Sequence, residues 1–387
     1  MGYALSTAAL TARGALRLAA KAAGPRLAGV GSSGGGTEES LAGGASLARA
    51  VGSANTPFIS AIIPVYNAER CNRRYLIEAL ESVAAQTFRN FEVIVVDDGS
   101  TDSSVEIVEQ FIASHTGLEI RLVRKANGGQ SSARNLGAER AVGNWLAFLD
   151  QDDVWLPERL QTVVPYLGDN VDLVYTDADT INEDGEVELM GIHARHRAGG
   201  KQPKTSLSDC IYDDCFVMPG IMTVRKEMFT RIGGFDEHLS GYEDDDFFVR
   251  GVQAGRIGYV PVSTLRWRFY GGNYSRSHRM VDSRLHYWRK LLGEHARDGD
   301  DPVRARRLTL RFLEQFLSQC SLQLEEGDPL AADNLKAALT LLPFVGPVDR
   351  AAFSLVRWAW SARSPAARHA RIWFLWGLES PAPRVQA

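Results

Sequence analysis

Four short apolar runs, each bounded by polar turn residues, punctuate the first half of the chain. They cover residues 59–63, 92–96, 119–123 and 145–149, and their starts are 33, 27 and 26 residues apart. Between them the apolar spacing is helical. Val105, Val108 and Ile112 share one helix face, and Ser103 with Glu106 predicts a capping box at its start. Residues 131–142, rich in Ala and Arg, predict another helix, and residues 171–175 a fifth strand. Strand–helix alternation at this period predicts an α/β fold, a mostly parallel sheet with helices on both faces. Ligands of such sheets lie beyond the carboxyl ends of the strands. The unusual polar residues of this chain fall there.

From about residue 281 the pattern is helical without strands. Leu308, Phe312, Leu313, Phe316 and Leu317 form one apolar face, which Gly327-Asp328-Pro329 ends. A last helical stretch over 351–378 is interrupted at Ser364-Pro365. Residues 1–57 differ from both parts. They are dominated by Ala and Gly and hold too little apolar surface to offset the entropy of ordering. The expected organisation is therefore a disordered tail over 1–57, an α/β domain over 58–280 and a helical region over 281–387.

Composition narrows the function. The 387 residues carry a formal net charge of −4, and the basic residues are dispersed, which disfavours a nucleic-acid partner. The four cysteines contain no CxxC pair, so neither a zinc ribbon nor a disulfide framework is expected. No uncharged apolar run reaches the roughly 18 residues of a spanning helix.

Three acidic constellations carry the chemistry. Asp97-Asp98-Gly99-Ser100-Thr101-Asp102 follows an apolar strand. A turn and helix cap explains Gly99, Ser100 and Asp102 but not both leading acids, which suit a base N–H or a ribose hydroxyl. Asp150-Gln151-Asp152-Asp153 follows the fourth strand. Three carboxylates within four residues repel one another unless a cation is near, and oxygen ligands select a hard ion, Mg²⁺ or Mn²⁺, that bridges to substrate phosphates. Glu243-Asp244-Asp245-Asp246 follows Gly233-Gly234-Phe235-Asp236 and opens a helix. A helix N-terminus accounts for one or two of these acids. A carboxylate there also suits a general base.

Taken in order, these segments resemble glycosyltransferase family 2, the large group with the GT-A fold. The resemblance runs from Ser60 to about Ser277. It rests on Ile62-Ile63-Pro64-Val65-Tyr66-Asn67, Ser82-Val83-Ala84-Ala85-Gln86-Thr87-Phe88 and Val96-Asp97-Asp98-Gly99-Ser100-Thr101-Asp102. It continues through Asn127-Gly128-Gly129, Ser132-Ala133-Arg134-Asn135, the Asp150–Asp153 segment, Gly233-Gly234-Phe235-Asp236 and Glu243-Asp244.

The resemblance implies roles by position. Pro64, Val65 and Tyr66 correspond to the strand end that binds the base, and Asp98 to the acid that contacts it. Arg134 and Asp150 join the nucleotide-sugar contacts. Asp150-Gln151-Asp152 corresponds to the DXD element, with Asp152 as the metal contact and Asp153 beside it. Asp244 corresponds to the catalytic base. The implied reaction is inverting, Mg²⁺- or Mn²⁺-dependent transfer from a nucleotide sugar, UDP-sugar favoured. The acceptor would be a hydroxyl of a cell-envelope polysaccharide, a glycolipid or a glycoprotein glycan.

Where processive members carry Gln-x-x-Arg-Trp, this chain has Ser263 three before Arg266, which argues for adding one sugar or a few. The competing readings are a catalytically inactive GT-A sugar-binding or interaction module and a sugar nucleotidyltransferase. The latter would need a Gly-rich basic loop after the first strand, which 64–70 is not. The expected localisation is cytoplasmic, with peripheral contact at the inner face of the membrane through the Trp- and Arg-rich segment 350–387; packing of that segment on the catalytic domain is the alternative. The loop 191–204, with His193 and His196, is expected as a mobile cover over the site rather than a metal site, and Asn273-Tyr274-Ser275-Arg276-Ser277 as a loop near the diphosphate and acceptor.

Overall fold

In the computed structural model, β1 (Ile59–Val65), β2 (Phe91–Asp97), β3 (Ile120–Arg124) and β4 (Trp145–Phe148) alternate with α1 (Arg73–Ala84), α2 (Ser104–Ser114) and α3 (Gln130–Arg140). The structure describes residues 58–350 apart from 197, 201, 213, 272, 274–276, 296–301 and 347–349. The expectations for 1–57 and 351–387, and for most of the 273–277 loop, lie outside the described residues. The described chain falls into two units divided between residues 273 and 274.

The first half of the sheet follows the apolar runs. β1 is buried at all seven positions and pairs in parallel with both β2 and β4, while β2 pairs in parallel with β3. Glycine lets α3 close on this core: a methyl at Gly137 would come within 2.5 Å of Ile62 Cγ2. Pro64, which has no amide to offer, sits beyond the last β1–β4 pair, Ile62 with Phe148. There β4 leaves the sheet and the acidic turn begins.

The second half is mixed. Past β4 come β5 (Val154–Trp155), α4 (Arg159–Val163), β6 (Leu173–Ile181), β7 (Val187–Leu189), α5 (Leu207–Ile211), β8 (Met222–Arg225), α6 (Lys226–Arg231), α7 (Glu243–Ala254) and β9 (Ile257–Arg268). The strand order is β3-β2-β1-β4-β8-β6-β9-β5, with β7 on β6. β8 runs antiparallel to both β4 and β6, and β5 antiparallel to β9, whereas β6 and β9 are parallel. The strand expected at 171–175 continues to Ile181.

Two local expectations are corrected. The capping box at Ser103 does not form: Ser103 Oγ instead bonds Glu69 Oε1, and Asp102 Oδ1 accepts the Ser104 amide at 3.0 Å. A charged acceptor, the Glu69 carboxylate, draws the Ser103 hydroxyl away from the helix amides. The loop 191–204 is not a loose cover, because Ile192, His193, Ala198 and Lys204 are buried. His193 Nδ1 lies 3.0 Å from Asp177 Oδ1 and its Nε2 2.8 Å from the Phe216 carbonyl.

The second unit contains α8 (His278–His295), α9 (Pro302–Glu326) and α10 (Leu330–Leu341). The expected face of α9 is buried, with Phe312 at 5.9 Å from Tyr287 of α8. Gly327 follows α9 at φ 72°, the left-handed stop the sequence predicts. Among the described residues no helix is long and apolar enough to cross a membrane.

Candidate active site

The segments that follow β1 and β2 are knitted together by side chains of both. Asn67, at φ 44°, donates its amide to Ser100 Oγ at 3.0 Å and accepts the Thr101 amide on Oδ1 at 2.8 Å. Ala68 and Glu69 amides reach Ser104 Oγ and Asp102 Oδ2. Gly99, at φ 75°, leaves room for the next loop: a methyl there would stand 2.8 Å from the Asn127 nitrogen.

Asp98 is buried at the centre of that loop. Its Oδ1 accepts from Lys125 Nζ at 2.6 Å and from the Gly128 amide at 2.9 Å. Its Oδ2 accepts from the Gly129 amide at 2.7 Å and from Asn127 Nδ2 at 3.1 Å. Four donors fill the acceptor capacity of a carboxylate. Asp98 thus shapes the 125–129 loop, and Lys125, absent from the sequence reading, is its counter-ion. Pro64 and Val65 are buried strand positions, and the Val65 carbonyl accepts the Asp98 amide at 2.8 Å. Tyr66 is 39% exposed, with the Arg70 guanidinium 5.9 Å from its ring.

The acidic turn is braced from three sides. Gln151 pairs with the Tyr66 backbone: its Oε1 accepts the amide at 2.9 Å and its Nε2 donates to the carbonyl at 3.2 Å. Asp150 Oδ1 accepts Arg134 Nη2 at 2.5 Å. Asp152 Oδ2 accepts the Tyr270 hydroxyl at 2.8 Å, and the Asp152 carbonyl accepts Arg268 Nε at 2.9 Å. Asp153, expected beside the metal, is buried, and its Oδ1 accepts the Arg268 amide at 3.0 Å. That bond ties the turn to the end of β9. Desolvation and the charge of Asp150 push the Asp152 carboxyl up to about 6, against the opposing Tyr270 bond. Burial and Asp152 also raise Asp153 well above the ordinary range.

The four acids opening α7 divide their work. Glu243 Oε1 accepts Arg134 Nη1 at 2.8 Å and Gln130 Nε2 at 2.5 Å. Asp246 pairs with Arg250, four residues on, at 2.7 Å. Asp245 Oδ1 accepts the Phe216 amide at 3.2 Å. Asp244 is half-buried, and its Oδ1 accepts the amide of Asp245 at 2.9 Å. Burial first, then the neighbouring Glu243, push its carboxyl up to about 7. Arg134 is 1% exposed and bridges Glu243 to Asp150, so α3 ties the α7 terminus to the acidic turn.

Residues 60–233 match the family model for glycosyl transferase family 2, and residues 208–264 match that described as the N-terminal domain of galactosyltransferase. The matched segment, residues 60–233, is a glycosyl transferase family 2 domain. An uncharacterized glycosyltransferase of Rickettsia felis is 32% identical over 215 residues, covering 55% of this chain and 33% of the relative. One of Haemophilus influenzae is 32% identical over 211 residues, covering 50% and 62%. The chain thus spans about a third of the length of the Rickettsia felis relative. Among solved structures, S. aureus TarS 1-349 in complex with UDP-GlcNAc superposes with a TM-score of 0.56 at 22% identity, covering 82% of this chain and 88% of that one. The mannosyltransferase PcManGT from Pyrobaculum calidifontis, in complex with GDP-Man and Mn2+, gives 0.50 at 18%, covering 85% and 90%. The curled mixed sheet with its flanking helices is the GT-A fold.

In this family 2 domain the sequence-predicted residues lie at the carboxyl ends of β1, β2 and β4, in α3 and at the start of α7. Arg134 joins Asp150 to Glu243, and Asp98 lies behind the 125–129 loop. The reading missed Gln151, Lys125, Arg268 and Tyr270 as site-building residues. An Arg between two aromatic residues and a Lys just before Asn-Gly-Gly were the available signals. Among the described residues no group of three or more His, Cys, Asp or Glu side chains forms a preformed cage for an ion. The donor chemistry still fits a hard cation. Asp150 and Asp152 crowd one turn, and burial together with the Asp150 charge makes Asp152 hold its proton more tightly, which a cation between them would relieve. An ion held by one or two carboxylates and by substrate phosphates is the ordinary coordination of Mg²⁺.

Proposed function

We propose that this domain transfers a sugar from a nucleotide sugar, UDP-sugar favoured, to a hydroxyl acceptor with inversion at the anomeric carbon. The observation that carries the reading is Asp244. It is a half-buried carboxylate pushed up to about 7, on a turn that Arg134 ties to the acidic turn. A base with that affinity for protons is matched to work near neutral pH.

Asp152 and Asp150 would hold a divalent cation, which when bound supplies Lewis-acid stabilisation of the departing diphosphate. Arg134 fixes Asp150, and Tyr270 with Arg268 fixes Asp152, so the turn is ordered before substrate arrives. Gln151 locks the turn to Tyr66, whose exposed ring would flank the bound base. Asp244 takes the acceptor hydroxyl proton on a carboxylate oxygen as the oxygen attacks from the face opposite the diphosphate. That displacement inverts the stereocentre and needs no covalent enzyme intermediate. The UDP-GlcNAc bound by TarS and the GDP-Man and Mn2+ bound by PcManGT support a nucleotide sugar and a metal for this chain.

The test is a thermal-shift screen of UDP-, GDP-, dTDP- and CMP-sugars with and without Mn²⁺. Slow release of nucleoside diphosphate from the stabilising donor is then measured. A donor that stabilises only with metal and is turned over is expected. No stabilisation by any nucleotide sugar would remove the reading.

A further inference from the structure

Phe216 holds a left-handed backbone, φ 54°, which is costly for a bulky side chain and persists only where the surroundings over-determine it. Three contacts do so. Its amide donates to Asp245 Oδ1 at 3.2 Å, and its carbonyl accepts from His193 Nε2 at 2.8 Å. Gly199, itself at φ 70°, packs directly behind. A methyl there would stand 2.5 Å from the Cys215 carbonyl oxygen and 3.1 Å from Phe216 Cβ. Asp245 adjoins Asp244, so the first turn of α7 that carries the general base also fixes Phe216.

This strain presents an aromatic group. The Phe216 ring meets Trp267 edge-on, with centroids 5.4 Å apart at 70°. Trp267 meets Phe269 at 4.1 Å and 56°. All three residues are half-buried, so each leaves part of its surface open. Trp267 and Phe269 flank Arg268, whose guanidinium braces the Asp152 carbonyl and whose amide holds Asp153. The aromatic group is thereby tied to both halves of the site: to α7 through Asp245 and to the acidic turn through Arg268.

We propose that Phe216, Trp267 and Phe269 form the acceptor subsite, and that it takes a pyranose ring. The hydroxyl that Asp244 deprotonates then belongs to a sugar. The C–H groups on one face of a pyranose carry partial positive charge and pack on the negative face of an aromatic ring. A Ser or Thr side chain presents no such face and would leave the aromatic group unused. The inference rests on the glycosyl-transfer reading and narrows its acceptor to a carbohydrate.

The test uses the full chain with UDP and Mn²⁺ on two arrays, one of immobilised glycans ending in pyranoses of either anomeric form, one of Ser/Thr peptides. Calorimetry of UDP with Mn²⁺ runs beside it. Retention on a subset of the glycans is expected. Trp267→Ala and, separately, Phe269→Ala should weaken it roughly tenfold, Trp267→Phe should keep most of it, and UDP affinity should hold in all three. Retention on peptides instead, no retention on any pyranose, or equal retention by Trp267→Ala would each overturn the subsite. A wild-type chain that fails to bind UDP overturns the nucleotide-sugar reading instead, so the two failures are separable.

Discussion

Gln151 uses its side-chain amide as a surrogate strand, bonding both the amide and the carbonyl of Tyr66. β1 has lost β4 as a neighbour by this point, since their last pair is Ile62 with Phe148. The side chain restores the missing pairing and fixes the acidic turn against the strand end. Asp150 and Asp152, on either side, are then aimed by Arg134 and Tyr270. The residue between two acids is as much a part of this site as the acids.

Asp244→Asn should lower transfer by about 10²–10⁴-fold, the usual cost of removing a general base. UDP affinity should stay near wild type, because the base acts on the acceptor proton and not on the nucleotide. Turnover and calorimetry on the same preparation check both halves. Wild-type transfer by the variant would remove Asp244 from its role.

The pH profile follows from the same residue. Burial and Glu243 raise its carboxyl to about 7. Only the ionised form accepts a proton, so kcat/KM should climb tenfold per unit below that value and level off above it. In Asp244→Asn this limb should vanish from the residual rate. A profile flat from pH 5 to 8 in the wild type would contradict the assignment.

Asp152→Ala should abolish the gain in UDP affinity that Mn²⁺ provides while leaving metal-free binding alone. Asp150, one oxygen of which Arg134 occupies, is left as the sole carboxylate on the ion, and Asp153 is held by the Arg268 amide, so neither replaces the missing Asp152 oxygen. Titrating UDP with and without Mn²⁺ measures the difference. An undiminished metal effect would place the ion elsewhere.

Arg134→Met should destabilise the domain by on the order of 3–5 kcal/mol, because it strands Glu243 and Asp150 without their shared counter-ion. Glu243 is 3% exposed and already raised by burial, so its stranded carboxyl should take up a proton. Such a carboxylate makes the loss larger at pH 8 than at pH 5, since a raised folded pKa withdraws stability as pH rises through it. Chemical denaturation at the two pH values measures the sign. An equal loss at both would mean that Glu243 is not the stranded group.

The first four strands, the helices between them and the helical second unit were legible because each rests on a local period of apolar residues. The clustering of acids at strand ends and at the start of α7 was legible for the same reason: placement follows from element boundaries. Ordering within each cluster was legible only through the family resemblance, which singles out Asp152 and Asp244. Nothing local distinguishes Asp244 from Asp245 or Asp246; their partners Phe216 and Arg250, and Arg134 beside Glu243, make the difference. Even the capping box at Ser103, a local signal, lost to a bond with Glu69, 34 residues away in sequence.

By itself, then, the sequence determined the elements, the strand ends where polar chemistry gathers, and the family that its spaced motifs resemble. Tertiary structure alone decided the antiparallel turn taken by β8, the filling of Asp98 by Lys125 and the 125–129 loop, and the division of labour among the acids. The physical reason is range. Periodicity acts over a few residues, whereas a carboxylate is set to brace a loop, pair with an arginine or take up a proton by groups that are tens to more than a hundred residues away in sequence and a few ångströms away in space.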